Sequence, residues 1–134
     1  MPRLSWKQVL AIPFGLFLGA YSVSSQTSRP KPLTKPLDCP KGGCPLLGGP
    51  PETAGMRSGF VRLKPGEAVG WHTTGQHEET LVILHGAGSA LVEEQAALTL
   101  AAPAMASIPP ATRHNVQNTG TEVLEYVYVV APVK

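Results

Sequence analysis

The chain has 134 residues, room for one domain but not for two. With 43% hydrophobic and 15% charged residues it can fill one ordinary core, which excludes a disordered chain. The net charge is only +2 and no basic patch carries interleaved aromatics, which excludes nucleic acid as the partner.

Residues 1–25 read as an export signal. Met1 to Lys7 carries Arg3 and Lys7 and no acid, and Val9 to Ala20 is an apolar run of 12 residues. Tyr21 to Gln26 is small and polar, with Val23-Ser24-Ser25 placed to meet a signal peptidase. Spanning a bilayer takes roughly 20 apolar residues. This run is shorter, and Pro13 and Gly15 interrupt it. The expectation is an exported protein, periplasmic or secreted, with no stable membrane insertion after cleavage. An uncleaved N-terminal anchor is the alternative. Cleavage after Ser25 leaves nine bases and nine acids, a nearly neutral mature chain.

Residues 26–54 read as a Pro/Gly-rich linker. Seven of the 14 prolines lie between Pro30 and Pro51, where they disfavour helix and remove backbone donors. Cys39 and Cys44 sit in the run Cys-Pro-Lys-Gly-Gly-Cys. An exported chain meets oxidising conditions, so a local disulfide is expected, with Gly42 and Gly43 allowing the loop to turn. Metal binding and redox catalysis stay open as alternatives, although the spacing is not the two-residue gap of either motif.

Residues 55–134 read as strands and turns. Phe60 to Leu63 is a strand stopped by Lys64-Pro65-Gly66, and Thr80 to Leu84 is an apolar, partly β-branched run stopped by His85-Gly86. Ser89 to Val92 follows as a partner. Ala97 to Leu100 and Ala104 to Ile108 flank Pro103, and Val123 to Val130 alternates with period two. The Ala-rich stretch Glu93 to Leu100 is the one place where a helical turn competes. Short strands at close intervals, punctuated by Gly and Pro, predict an all-β sandwich or small barrel.

The histidines cluster around these strands. The run Gly66-Glu-Ala-Val-Gly-Trp-His72-Thr-Thr74-Gly-Gln-His77-Glu-Glu79 leads into the apolar strand that ends at Gly86. It resembles the first motif of the cupin superfamily: Gly, five residues, His-x-His, three or four residues, Glu, six residues, Gly. Gly66, His72, Glu79 and Gly86 fall in register. The second motif is Pro-x-Gly-x-x-His-x-x-x-Asn, and Pro109, His114 and Asn118 fit it, with Ala111 in the place of the Gly. The resemblance covers residues 58–130 and implies a single double-stranded β-helix, the jelly-roll barrel of cupins. Small cupins often pair as dimers, so a homodimer is implied as well.

The departure from the motif is Thr74, which stands where the family has its second His. A hydroxyl is a poor replacement for imidazole on a transition metal. His77 is two residues before Glu79, and alternate strand residues share a face, so His77 is the expected substitute. The expected metal set is His72, His77, Glu79 and His114, for a divalent transition ion such as Fe, Mn, Ni, Cu or Zn. Glu79 is also the candidate catalytic residue, as ligand or general base. His85 shares the parity of Glu79 and is a weaker candidate ligand. Arg62 and Arg113 are the candidates to meet an anionic ligand.

The function expected from this set is that of an exported metal-binding protein acting on a small molecule by oxygenase, isomerase or lyase chemistry. A non-catalytic small-ligand-binding module is the alternative, and a metal-free structural role is the third reading, which Thr74 keeps open.

Overall fold

Short strands with inward apolar positions and polar turns close on themselves because each strand has one face to bury and two edges to satisfy. In the computed structural model, which describes residues 29–134, eight strands do so. The expected export signal lies outside the described residues. The strands are β1 (Gly43–Gly48), β2 (Arg57–Leu63), β3 (His77–His85), β4 (Ala87–Val92), β5 (Leu98–Ala101), β6 (Ala104–Ile108), β7 (His114–Gln117) and β8 (Leu124–Pro132). No helix is present among the described residues.

One sheet has the order β1-β2-β8-β3-β6 and the other β5-β4-β7, with every pairing antiparallel. The two sheets face each other across a core of Leu63, Leu81, Ile83, Ala90, Leu100, Val116, Leu124 and Tyr126. This is the all-β barrel that the strand pattern predicts and the double-stranded β-helix that the cupin resemblance implies. Register explains the core: Leu81 and Ile83 alternate with half-buried or exposed Thr80, Val82 and Leu84 along β3. Gly59 faces Tyr128 in the β2–β8 pair, and a Cβ there would lie 2.5 Å from the Tyr128 ring, so only glycine lets the ring lie across β2.

Turn chemistry sets the connections. Gly86 joins β3 to β4 at φ +76° and packs against the Val123 carbonyl, a place where no side chain fits. Glu93 to Gln95 forms a turn with Glu94 at φ 59°, so the Ala-rich stretch yields a turn and then β5, not a helical turn. Asn118 is 1% exposed and donates through Nδ2 to the carbonyls of Leu63 and Glu122, at 2.8 Å each. Its Oδ1 accepts from Gly120 N at 2.9 Å. The motif Asn thereby ties the end of β2 to the β7–β8 turn, a role in the fold and not in the site.

The stretch expected to be a linker contributes a strand. β1 pairs with β2, placing Cys44 opposite Phe60. Cys39 and Cys44 form a disulfide with Cα atoms 5.6 Å apart. Phe60 is on the outer side of the sheet, yet it is 3% exposed, as is Cys39. The proline-rich chain is therefore folded back over the outer face. Prolines do not prevent this, because β1 is an edge strand, and Pro45 precedes the register shift between residues 45 and 47.

Candidate metal centre

Two of the candidate ligands arrive by a single backbone contact. His72 N donates to His114 O and His114 N donates to His72 O, both at 2.9 Å, in an antiparallel bridge outside the regular ladders. Directly opposite residues send their side chains to the same face. The two imidazole centroids are 4.3 Å apart. Val116, two residues after His114, lies in the core, so this face is the barrel interior.

Each ring is held by a carbonyl. His72 Nδ1 donates to Gly70 O at 2.8 Å, and His114 Nδ1 donates to Thr112 O at 3.0 Å. A carbonyl only accepts, so in the neutral form each Nδ1 carries the proton and each Nε2 presents a lone pair. Metal-binding histidines are oriented in this way.

Glu79 supplies the third group from β3, where it pairs with Ile108 on β6 and Val130 on β8. It is 5% exposed and His114 is 0% exposed. Glu79 Oε2 lies 3.0 Å from His114 Nε2. The alignment is not that of a hydrogen bond, so both atoms are buried without a hydrogen-bond partner. Burying a carboxylate oxygen and an imidazole nitrogen without aligned partners costs on the order of 1–3 kcal/mol for each group, a cost that a proton shared between them or an ion bound to both relieves. One ligand atom each from His72, Glu79 and His114 lies within 4.8 Å of the others. Donors bound to one ion at about 2.0–2.2 Å sit within such distances of each other. The three residues therefore fit a metal ion.

The Glu79 carboxylate beside it raises the His114 pKa above the ordinary 6.5; burial opposes this and the Thr112 carbonyl reinforces it. Tyr126, on the same inner face, has its hydroxyl pKa pushed well up by burial first, then by the charge of Glu79.

The other expected residues are placed elsewhere. His77 does share the face of Glu79, but it is outside the group of three. Its Nδ1 turns to the Thr74 carbonyl at 3.2 Å, its backbone N donates to the same oxygen at 3.3 Å, and Thr74 Oγ1 donates to the His77 carbonyl at 2.7 Å. Thr74 and His77 thus close a turn on each other at the barrel mouth. His85 stands at the far end of β3, where its Nδ1 donates to Val123 O at 3.0 Å. Arg62 is on the outer face, 2.7 Å from Glu125 and over the Phe60 ring. Arg113 pairs with Glu93 at 3.0 Å and lies over Trp71. Neither arginine faces the barrel interior.

Asn115 is the positioning residue that sequence reasoning missed. Its Oδ1 accepts from Gly70 N at 2.9 Å, fixing the residue whose carbonyl holds His72. The signal was present in its place beside His114, on the opposite strand parity. Ala111, in the motif's Gly position, adopts φ 56° and donates from its N to the Gly75 carbonyl at 2.6 Å, which joins the two histidine-bearing turns.

The comparisons with known proteins agree with this architecture. The family described as the cupin domain matches residues 59–130. A double-stranded β-helix protein from Klebsiella pneumoniae superposes with TM-score 0.62 at 23% identity, over 76% of this chain and 91% of its own. A cupin 2 conserved barrel domain protein from Salinispora arenicola gives TM-score 0.59 at 21% identity, over 79% and 90%. The Cnp3 cupin domain of Schizosaccharomyces pombe gives TM-score 0.61 at 16% identity, over 68% of this chain and 64% of that one. No curated protein sequence matches. At these identities the likeness is one of fold, and the match over residues 59–130 together with it establishes that the chain belongs to the cupin family.

Proposed function

We propose that this cupin is an exported, metal-dependent protein that binds and transforms a small molecule at His72, Glu79 and His114. The observation that carries the reading is the convergence of His72, Glu79 and His114, in which the buried Glu79 Oε2 and His114 Nε2 lie 3.0 Å apart without the alignment of a hydrogen bond. Two neutral imidazoles and one carboxylate match the donor sets of non-haem Fe(II) and catalytic Zn(II), and they suit Mn, Ni and Cu as well. A bound ion of this kind supplies Lewis acidity toward a substrate oxygen and leaves coordination positions open.

The chain's own groups do the rest. Gly70 and Thr112 carbonyls hold the imidazoles in the tautomer that presents Nε2. Leu81, Ile83 and Val116 keep water from the inner side of the centre. Half-buried His72 stands on the solvent side, so a ligand enters past it. Thr74, turned to the His77 carbonyl, leaves a three-residue set where the family motif has four.

Among the described residues, Glu79 has no second carboxylate in the group to move protons. That observation favours the alternative, a barrel that captures its ligand without turning it over. Reconstitution with each of Fe(II), Mn, Ni, Cu and Zn, followed by a screen of small acids, sugars and phenols for turnover and oxygen uptake, separates the two. Turnover lost in Glu79→Gln supports an enzyme. Saturable binding with no turnover under any metal supports the binding module.

Export rests on the order of charged, apolar and small residues in 1–25, and the Cys39–Cys44 disulfide supports it. Intact mass of protein recovered from the exported fraction should begin at Gln26. A full-length mass in the membrane fraction would favour the anchored alternative.

A further inference from the structure

Arg57 is aligned with the candidate centre by strand register. On β2, residues 57, 59, 61 and 63 pair with Val130, Tyr128, Tyr126 and Leu124 of β8. Leu63, Tyr126 and Leu124 lie in the core, so this parity faces the barrel interior. Val130 pairs on its other side with Glu79. Arg57, Val130 and Glu79 therefore form one row across three adjacent strands on the same face. With strands about 4.8 Å apart, the Cα atoms of Arg57 and Glu79 are about 10 Å apart.

Arg57 is exposed and makes no ion pair or side-chain hydrogen bond among the described residues. Arg62 and Arg113, by contrast, are each bound to a glutamate. The Arg57 stem lies beside Gly49, where a Cβ would come 3.5 Å from its Cγ. Across the inward positions of β2, β3, β6 and β8, Glu79 is the single acid, so nothing there competes for a guanidinium.

The charge of the centre points the same way. A divalent ion on two neutral imidazoles and one carboxylate keeps one positive charge in a largely buried place. An anionic ligand relieves that cost. A guanidinium in the same row offers a planar fork that fits a carboxylate with two hydrogen bonds.

We infer that Arg57 is the anion-recognition residue of this site. The ligand class is then a small carboxylic acid with two polar ends, one oxygen placed on the ion and a distal carboxylate on Arg57. Arg57 has this role only if the ion is held as proposed above.

The test uses the purified protein loaded with Co(II), whose visible spectrum reports ligands entering the metal's coordination. Succinate and its monoamide succinamate are titrated in parallel. Both carry one carboxylate for the ion, and only succinate keeps a charge for Arg57. The wild type is expected to bind succinate at least tenfold more tightly than succinamate. Arg57→Gln should take up the same amount of Co(II) and lose the preference, Arg57→Lys should restore part of it, and Arg62→Gln should keep it in full. Equal affinities in the wild type, or an unchanged preference in Arg57→Gln, overturn the assignment while leaving the metal centre standing. A wild type that takes up no Co(II) overturns both.

Discussion

His72 and His114 exchange both of their backbone hydrogen bonds, at 2.9 Å each, and this bridge sets two imidazoles from distant parts of the chain side by side inside the barrel. Backbone geometry fixes which face they share, and the Gly70 and Thr112 carbonyls fix which nitrogen each presents. Each consequence of that arrangement is open to measurement.

Asn115 holds Gly70, which holds His72. Asn115→Ala frees Gly70 N and lets the His72 ring turn. Removing a residue that orients a metal ligand typically weakens metal binding about 10–100-fold. Competition with a chromophoric chelator is expected to show such a loss, with an unchanged far-UV spectrum. Wild-type affinity in this variant would show that the His72 segment is positioned by other contacts.

The pH dependence of the metal-free protein follows from His114. Its folded pKa lies above the ordinary value of 6.5, chiefly because of Glu79. A raised folded value contributes stability that is complete below the unfolded pKa and is lost as pH rises through the folded one. The urea midpoint of the metal-free protein is expected to fall as pH rises from the unfolded His pKa of about 6.5 through the raised folded one. An ion needs His114 deprotonated, so the stabilisation added by Zn(II) should grow across the same interval. A metal-free midpoint that rises with pH would contradict the Glu79–His114 pairing.

Cys39 and Cys44 close a short loop on the outer side of the sheet, above Phe60. Replacing both with Ala is expected to cost about 2 kcal/mol on the chain-entropy account of small loops. Proteolysis should then cut first between Arg29 and Lys41, while metal content stays at the wild-type level, because the loop is on the face opposite the centre. Loss of metal in the double variant would mean that the two faces are coupled.

Ala111 holds φ 56°, a conformation that disfavours a Cβ. Left-handed backbone costs an L-residue about 1–2 kcal/mol, and glycine gives back about 0.5–1 kcal/mol through its looser unfolded state. Ala111→Gly should therefore stabilise the protein by about 0.5–1 kcal/mol in thermal unfolding. A destabilised variant would show that the Ala111 methyl makes contacts worth more than the strain.

Much of this molecule is legible in its sequence. β3, β4, β6 and β8 can be read from alternation and from their Gly and Pro stops, and both histidine motifs place His72, Glu79 and His114. β1 is hidden because prolines signal a tether, and nothing in a linear pattern tells an edge strand that tolerates proline from a free one. His77 has the right parity, yet its ring turns to Thr74, a choice made by the turn and not by strand periodicity. Charge alone singles out Arg62 and Arg113, and their glutamate partners come from other strands or turns, which only the fold brings near. Arg57 is in line with the centre through two strand registers, information that spacing along the chain does not carry.

The most direct measurement is the metal content of the purified protein, taken together with His72→Ala, Glu79→Gln and His114→Ala variants of confirmed fold. One transition-metal ion per chain is expected in the wild type, and each variant should lose most of it. A wild type that stays empty after reconstitution, or a His114→Ala variant that retains a full equivalent, would contradict a centre built from these three side chains.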